Sequence, residues 1–179
     1  DWTEHGLASF FSSSGFQLAS RLVLARDVDA PVEDEFDWTD LPVRSMTEAD
    51  LPALVRIDKK HTGRDRIAYY RRKAHEALRQ SGVRVSLVAE IEGQFAGFLM
   101  ARVDLGDFGR TEPTAVLDTI GVDPAFAGKQ VGRALLEQLL NNLRSLRVER
   151  VLTEVEWDHF DLLRFLQRGG FRRSQRLTF

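Results

Sequence analysis

Residues 115–140 read AVLDTIGVDPAFAGKQVGRALLEQLL, and their order decides the fold. An apolar, β-branched run ends at Asp123-Pro124. A short loop carrying Gly128, Lys129 and Gly132 follows. Beyond it Leu135, Leu136, Leu139, Leu140 and Leu143 recur at helical spacing and make one apolar face. The pattern predicts a strand over 116–122 and a helix over 128–146. A strand, a glycine-bearing turn and a helix start aim several backbone N–H groups at one place. The helix dipole adds positive potential there, so the spot favours a phosphate group.

Three phosphate ligands compete for such a turn. A nucleoside-triphosphate loop needs G-x-x-x-x-G-K-[ST], a string this sequence lacks. A dinucleotide fingerprint needs G-x-G-x-x-G, and Gly128 and Gly132 do not fit that spacing. The third ligand is the pyrophosphate of coenzyme A. Here the chain resembles the GNAT superfamily of N-acetyltransferases, whose signature is Gln/Arg-x-x-Gly-x-Gly/Ala, usually preceded by Val-Asp-Pro. Those positions read Val122-Asp123-Pro124, then Ala127-Gly128-Lys129-Gln130-Val131-Gly132, then Arg133-Ala134. Ala127 stands where the family has Arg or Gln, and Gln130 where it has Gly. A backbone amide donates to phosphate whatever side chain it carries, provided Gln130 can take up the local φ. The resemblance therefore implies acetyl-CoA as co-substrate, cradled by the loop 127–134.

Composition narrows the rest. With 179 residues, 43% hydrophobic and 29% charged, the chain can bury one α/β core. A net charge of −2 gives no reason to expect nucleic acid. No apolar run is long enough for a bilayer, and no signal-peptide pattern is present, so no membrane is expected. Cysteine is absent, which excludes disulfides and thiolate chemistry and fits a reducing cytoplasm, the expected location. His5, His61, His75 and His159 are scattered, so no metal site is expected. Asp1 in place of Met suggests that something upstream was removed or left out.

The acidic stretch DVDAPVEDEFDWTD, residues 27–40, reads as a linker. From Leu41 onward the order is regular. Val43–Met46 is a strand, and Thr47 with Asp50 makes a capping arrangement before a helix over 48–60. A second helix spans 64–80. Strands over 83–92 and 95–105 flank Glu92-Gly93-Gln94 as a hairpin. The strand 116–122 and helix 128–146 follow, then a strand over 148–155, a helix over 159–168 and a strand over 171–179. The result is a mixed, mostly antiparallel sheet with helices on both faces, an α/β design. The same order is the GNAT order, so the resemblance covers nearly all of residues 41–179.

Residues 1–24 align without gaps on residues 156–179, an offset of 155. Identical pairs are Trp2/Trp157, Leu7/Leu162, Phe10/Phe165, Gly15/Gly170, Phe16/Phe171, Arg21/Arg176 and Leu22/Leu177. Such repeats change the architecture. The expected division is a partial GNAT-like helix–strand repeat over 1–26, an acidic linker over 27–40 and a GNAT domain over 41–179. GNAT domains end in two antiparallel strands after the last helix, and this chain has one. Residues 16–28 could supply the other, within the chain or in a homodimer through the terminal strands, because an unpaired edge is a liability.

Acetyl transfer needs the thioester held, its carbonyl polarised, the ammonium deprotonated and the leaving thiolate protonated. The resemblance assigns the pantetheine arm and the thioester oxygen to the backbone of Ile120 and Val122. In the ribosomal-protein-alanine acetyltransferases, a GNAT branch, a strand Glu is followed five residues later by Asn. Here Glu154 and His159 take those positions, which makes Glu154 a candidate base. Asp118, a carboxylate within an apolar strand, is a second candidate, or else a satisfied buried acid. The family's acid, a Tyr in the last helix, is replaced by Leu166. Tyr69 and Tyr70 read as packing residues. The acceptor is a primary amine: a protein N-terminus, a lysine or a small amine. Arg164, Arg168, Arg172, Arg173 and Arg176 make either a solvated face or a contact for an acidic partner. A rival reading is a catalytically weak acyl-CoA sensor or interaction module of the same fold.

Overall fold

The helix that the leucines predict is the pillar of the molecule. In the computed structural model, which describes residues 5–17, 20–31, 41–76, 83–104 and 113–174, it is α4, Val131–Ser145. It starts three residues later than the periodicity suggests. Gly128, Lys129 and Gln130 form the turn that leads into it, with Gln130 at φ 62. Leu135, Leu136, Leu139, Leu140 and Leu143 are all buried on the sheet. Each contributes about 1.5–3 kcal/mol through removal of its side chain from water.

The sheet has seven strands among the described residues: β1 (Arg21–Asp27), β2 (Val43–Ser45), β3 (Leu87–Ile91), β4 (Gln94–Asp104), β5 (Thr114–Val122), β6 (Arg150–Glu156) and β7 (Arg172–Arg173). Their order is β2-β3-β4-β5-β6-β1-β7. Every pairing is antiparallel except β5 with β6. The β3–β4 hairpin turns on Glu92 (φ 51) and Gly93 (φ 74), both positive as a two-residue type I′ turn requires.

Element bounds shift relative to the sequence expectation, and β5 begins two residues earlier, at Thr114. The first helix opens as a 3₁₀ turn at Glu48–Asp50 and continues as α2, Leu51–Thr62. Thr47 N–H donates to the Asp50 carboxylate at 2.8 Å, the expected cap. α3 is Ile67–His75 rather than 64–80; its expected end, 77–80, lies outside the described residues. β3 begins at Leu87, not 83, and α5 is Phe160–Arg168 with His159 as its cap residue. Most of the linker (32–40), Leu105 and 175–179 of the final strand also lie outside the described residues.

Helices α4 and α5 cover one face of the sheet, where Leu24, Leu99, Leu117, Val151, Val155, Leu166 and Phe171 are buried together. Helices α2 and α3 cover the other, with Leu54, Ile57, Tyr70, Val88, Phe98 and Met100. The N-terminal strand β1 lies inside this sheet. It pairs with β6 over all seven residues, Arg21 opposite Glu156 to Asp27 opposite Arg150, and with β7 on its other side. Arg26 locks it there. Its buried guanidinium donates to the Gly169 carbonyl at 2.6 Å and to the Ala30 carbonyl at 2.8 Å. Ahead of β1 runs a short helix, α1, His5–Ser13.

Candidate functional site

Strands β5 and β6 run together only from Thr114/Arg150 to Leu117/Thr153. At that last rung the Thr153 hydroxyl donates to the Leu117 carbonyl at 2.9 Å. Beyond it the strands part. β6 keeps its pairing with β1, so the opening falls along the edge of β5 from Asp118 to Val122. A cleft of about 1200 Å³ fills the opening, lined by Asp118, Thr119, Ile120, Gly121 and Val122 on one wall and by Thr153, Glu154 and His159 on the other.

A β-bulge adjusts what this edge presents. Met100 faces Thr119 and Ala101 faces Leu117, so Asp118 has no partner on β4. The extra residue shifts the alternation of β5 and turns Asp118 to the α3 side. There Lys73 Nζ stands 3.1 Å, and Arg102 Nη1 3.0 Å, from its carboxylate. The odd carboxylate of an apolar strand is thus doubly ion-paired. Burial would lower the Lys73 ammonium, but hydrogen bonds to Glu76 and Asp118 outweigh it and raise it above its ordinary value.

The far end of the cleft is the turn before α4. Ala127, Gly128, Gln130, Val131, Gly132 and Arg133 all line it. The first bond within the helix is Ala134 N–H to the Gln130 carbonyl at 3.0 Å. The amides of Val131 and Gly132 precede it and are of the kind a helix leaves for a ligand. Lys129 instead lays its ammonium over the Phe126 ring, 5.5 Å from its centroid, and Ala134 is buried in the core. Arg133 pairs with Glu137 at 2.9 Å. The turn itself is anchored by Asp123. Its carboxylate accepts from Lys60 Nζ at 2.7 and 2.9 Å and from the Ala125 amide at 3.0 Å. These bonds, that of Lys60 first, hold the Asp123 carboxyl below the ordinary carboxylate range. A diphosphate with an extended arm fits this donor set: amides at the helix start, then an unpaired strand edge.

On the α2–α3 side, Asp58, His61 and Thr62, to which the sequence reading gave no role in the site, line the cleft together with Arg66 and Tyr70. The Asp58 carboxylate accepts from the Tyr70 hydroxyl at 2.9 Å and from both Nε and Nη2 of Arg66. Burial would raise Asp58, but the Arg66 and Tyr70 bonds outweigh it and lower it. Burial, then the bond to Asp58, pushes the Tyr70 hydroxyl well above its usual range. Tyr70 is therefore a packing residue, as expected, with a buried polar anchor. His61 Nε2 lies 2.6 Å from the Val122 carbonyl. A carbonyl only accepts, so this ring nitrogen carries the proton. The available signal was spacing: Asp58, His61 and Thr62 fall at i, i+3 and i+4 on one helix face, and all three line the cleft. Leu166, at the family's Tyr position, is buried core.

Glu154 is half-exposed on the α2–α3 side of β6, 3.8 Å from Arg21 Nη1. Its neighbour Glu156 is tied to Arg21 Nε at 2.8 Å, and this bond first, with that from Ser20, lowers the Glu156 carboxyl. Among the described residues no His, Asp and Glu group could hold a metal ion, and no helix is long and apolar enough to cross a membrane.

Comparison with known proteins fits this geometry. The chain is 36% identical over 86 residues to a mycothiol acetyltransferase of Propionibacterium freudenreichii subsp. shermanii, covering 42% of this chain and 28% of that one. It is 37% identical over 78 residues to the N-alpha-acetyltransferase RimI of Mycobacterium tuberculosis, covering 43% and 48%. The chain thus matches less than half the length of either relative. A GCN5-related N-acetyltransferase of Sphaerobacter thermophilus has the same fold, with a TM-score of 0.65 at 16% identity over 96% of this chain and 54% of that one. The family model for the acetyltransferase (GNAT) family matches residues 44–171, and this chain belongs to that family.

Proposed function

We propose that this chain transfers an acetyl group from acetyl-CoA to a primary amine. The observation that carries the reading is the parting of β5 and β6 beyond Leu117/Thr153, directly above the amide-bearing start of α4. Acetyl-CoA supplies the activated acetyl thioester. The turn 127–134 holds its diphosphate, and the edge at Ile120 and Val122, which β6 leaves unpaired, orients its arm. The cleft crosses the sheet, so an amine can enter from the α2–α3 side, where Glu154 faces.

Glu154 takes the ammonium proton in this scheme, directly or through water, and frees the nitrogen lone pair for attack. Asp118 is held by Lys73 and Arg102 and acts by positioning those cations. With Leu166 at the family's acid position, the proton for the thiolate comes from water or His159. The acceptor we favour is the α-amine of a peptide or protein, on the strength of one relative's name, an N-alpha-acetyltransferase. The cysteine-free chain suits a reducing cytoplasm.

The test measures acetyl-CoA-dependent release of free CoA over a panel of peptide and small-molecule amines, with Glu154→Gln as the variant. The reading predicts amine-dependent release that falls about 10²–10⁴-fold in the variant, while acetyl-CoA still raises the melting temperature of both proteins. A thermal shift without release on any amine would favour the acyl-CoA sensor. No shift would remove the cofactor assignment.

A further inference from the structure

The two ends of the chain share more than sequence. α1 (His5–Ser13) and α5 (Phe160–Arg168) are both nine residues long and correspond under the 155-residue offset of the repeat. Both end in the same cap. Ser14 N–H donates to the Phe10 carbonyl and Gly169 N–H to that of Phe165, each at 3.0 Å. Phe16 N–H donates to the Phe11 carbonyl and Phe171 N–H to that of Leu166, again at 3.0 Å. Gly15 (φ 85) and Gly170 (φ 83) hold the same left-handed position, which L side chains rarely adopt.

The faces correspond too. The exposed positions Arg164, Gln167 and Arg168 of α5 are Ser9, Ser12 and Ser13 in α1, all exposed. The buried Phe171 corresponds to Phe16 and the core-packed Phe165 to Phe10. At the N-terminal end Phe16 and Phe10 are 53% and 62% exposed. The same apolar face is covered in one helix and bare in the other. The core of this sheet is already filled by α5, so neither this unit nor a second complete copy has a vacant place for α1. Meanwhile β1, which follows α1, is spent on this sheet, between β6 and β7.

We propose that α1 is the last helix of a second GNAT-fold unit, which docks on the Phe10–Phe16 face, and that β1 crosses from that unit to complete the present sheet. The partner's chemistry can be read from α5. The Phe165 ring packs on Gly132, where a Cβ would stand 3.3 Å away, and both residues line the cleft. Phe10 then packs against the corresponding small residue at the start of the partner's amphipathic helix. The inference rests on family membership and the repeat, and stands apart from the catalytic reading.

The chain has no cysteine, so a single thiol reports directly. Phe10→Cys, and Ser13→Cys as the outward-facing control, would be made in the 179-residue chain and in the full-length product of its natural gene, whatever precedes Asp1 there. Reaction with a disulfide reagent such as Ellman's is timed. In the full-length protein the F10C thiol is expected to react at least tenfold more slowly than the S13C thiol, and in the short chain equally fast. Amide hydrogen exchange of residues 10–16 in the unsubstituted proteins gives the same comparison without relying on a variant. Equal reactivity in the full-length protein overturns the proposal. So does protection in the short chain alone with a dimer in sedimentation, because the cover would then be a second copy.

Discussion

The Thr153 hydroxyl and the Leu117 carbonyl, 2.9 Å apart, mark the point where the sheet stops being continuous. The bond is buried and ties the last paired rung of β5 and β6. Thr153→Val keeps the shape and leaves the carbonyl unmet on that side. We expect a loss of about 1–2 kcal/mol, a fall in melting temperature of roughly 2–8 °C. Calorimetry would check it, with Thr153→Ser as the variant that keeps the bond.

Gln130 occupies the left-handed region at φ 62, where an L side chain costs about 1–2 kcal/mol. Gln130→Gly should relieve most of that and raise the melting temperature by roughly 2–4 °C. Since the turn offers ligands its amides, acetyl-CoA affinity should stay within about threefold. Thermal melts with a cofactor titration measure both.

Asp58 and Asp123 are both held below the ordinary carboxylate range in the folded chain. In acid the unfolded state then binds more protons than the native state, so stability rises with pH. Their contribution is complete above about pH 5 and is lost as pH falls through the ordinary Asp value toward their lower native values. Asp123→Asn should flatten the acid limb of a stability–pH profile measured by urea unfolding, while lowering stability at pH 7. A limb unchanged by the substitution would mean that Lys60 stabilises nothing there.

Gly170 carries two constraints, its φ of 83 and the Arg26 guanidinium that an added Cβ would strike. Gly15 shares the φ alone, with open space around it. Gly170→Ala should therefore cost more than the roughly 1–2 kcal/mol of the backbone term. Combining it with Arg26→Met should cost less than the sum of the single changes, since the collision is gone. Denaturant unfolding of the four proteins closes that cycle.

The element order was legible because α4 carries its leucine periodicity, the first helix its Thr47 and Asp50 cap, and the hairpin turn its own Glu92-Gly93. The start of α4 was misplaced because Gly128 and Lys129 look as helical as loop-like until Gln130 is seen in a left-handed conformation. The pairing of Asp118 was illegible for a different reason: the bulge belongs to the register between two strands, and no single strand records it. His61 and Asp58 escaped notice because a helix face becomes part of a site only when the sheet beneath it is placed.

One feature of the sheet also bears on how the molecule is made. Arg21 of β1 hydrogen-bonds to Glu156 of β6, 135 residues later in the chain. At ordinary ribosomal speeds β1 leaves the tunnel on the order of ten seconds before its neighbours on either side. Until then its apolar residues Leu22, Val23 and Leu24 lack the partners they have in this sheet, and closing so long a loop is slow. The timing of synthesis thus makes β1 the segment most exposed to misassembly, and refolding the finished chain should be faster than its birth.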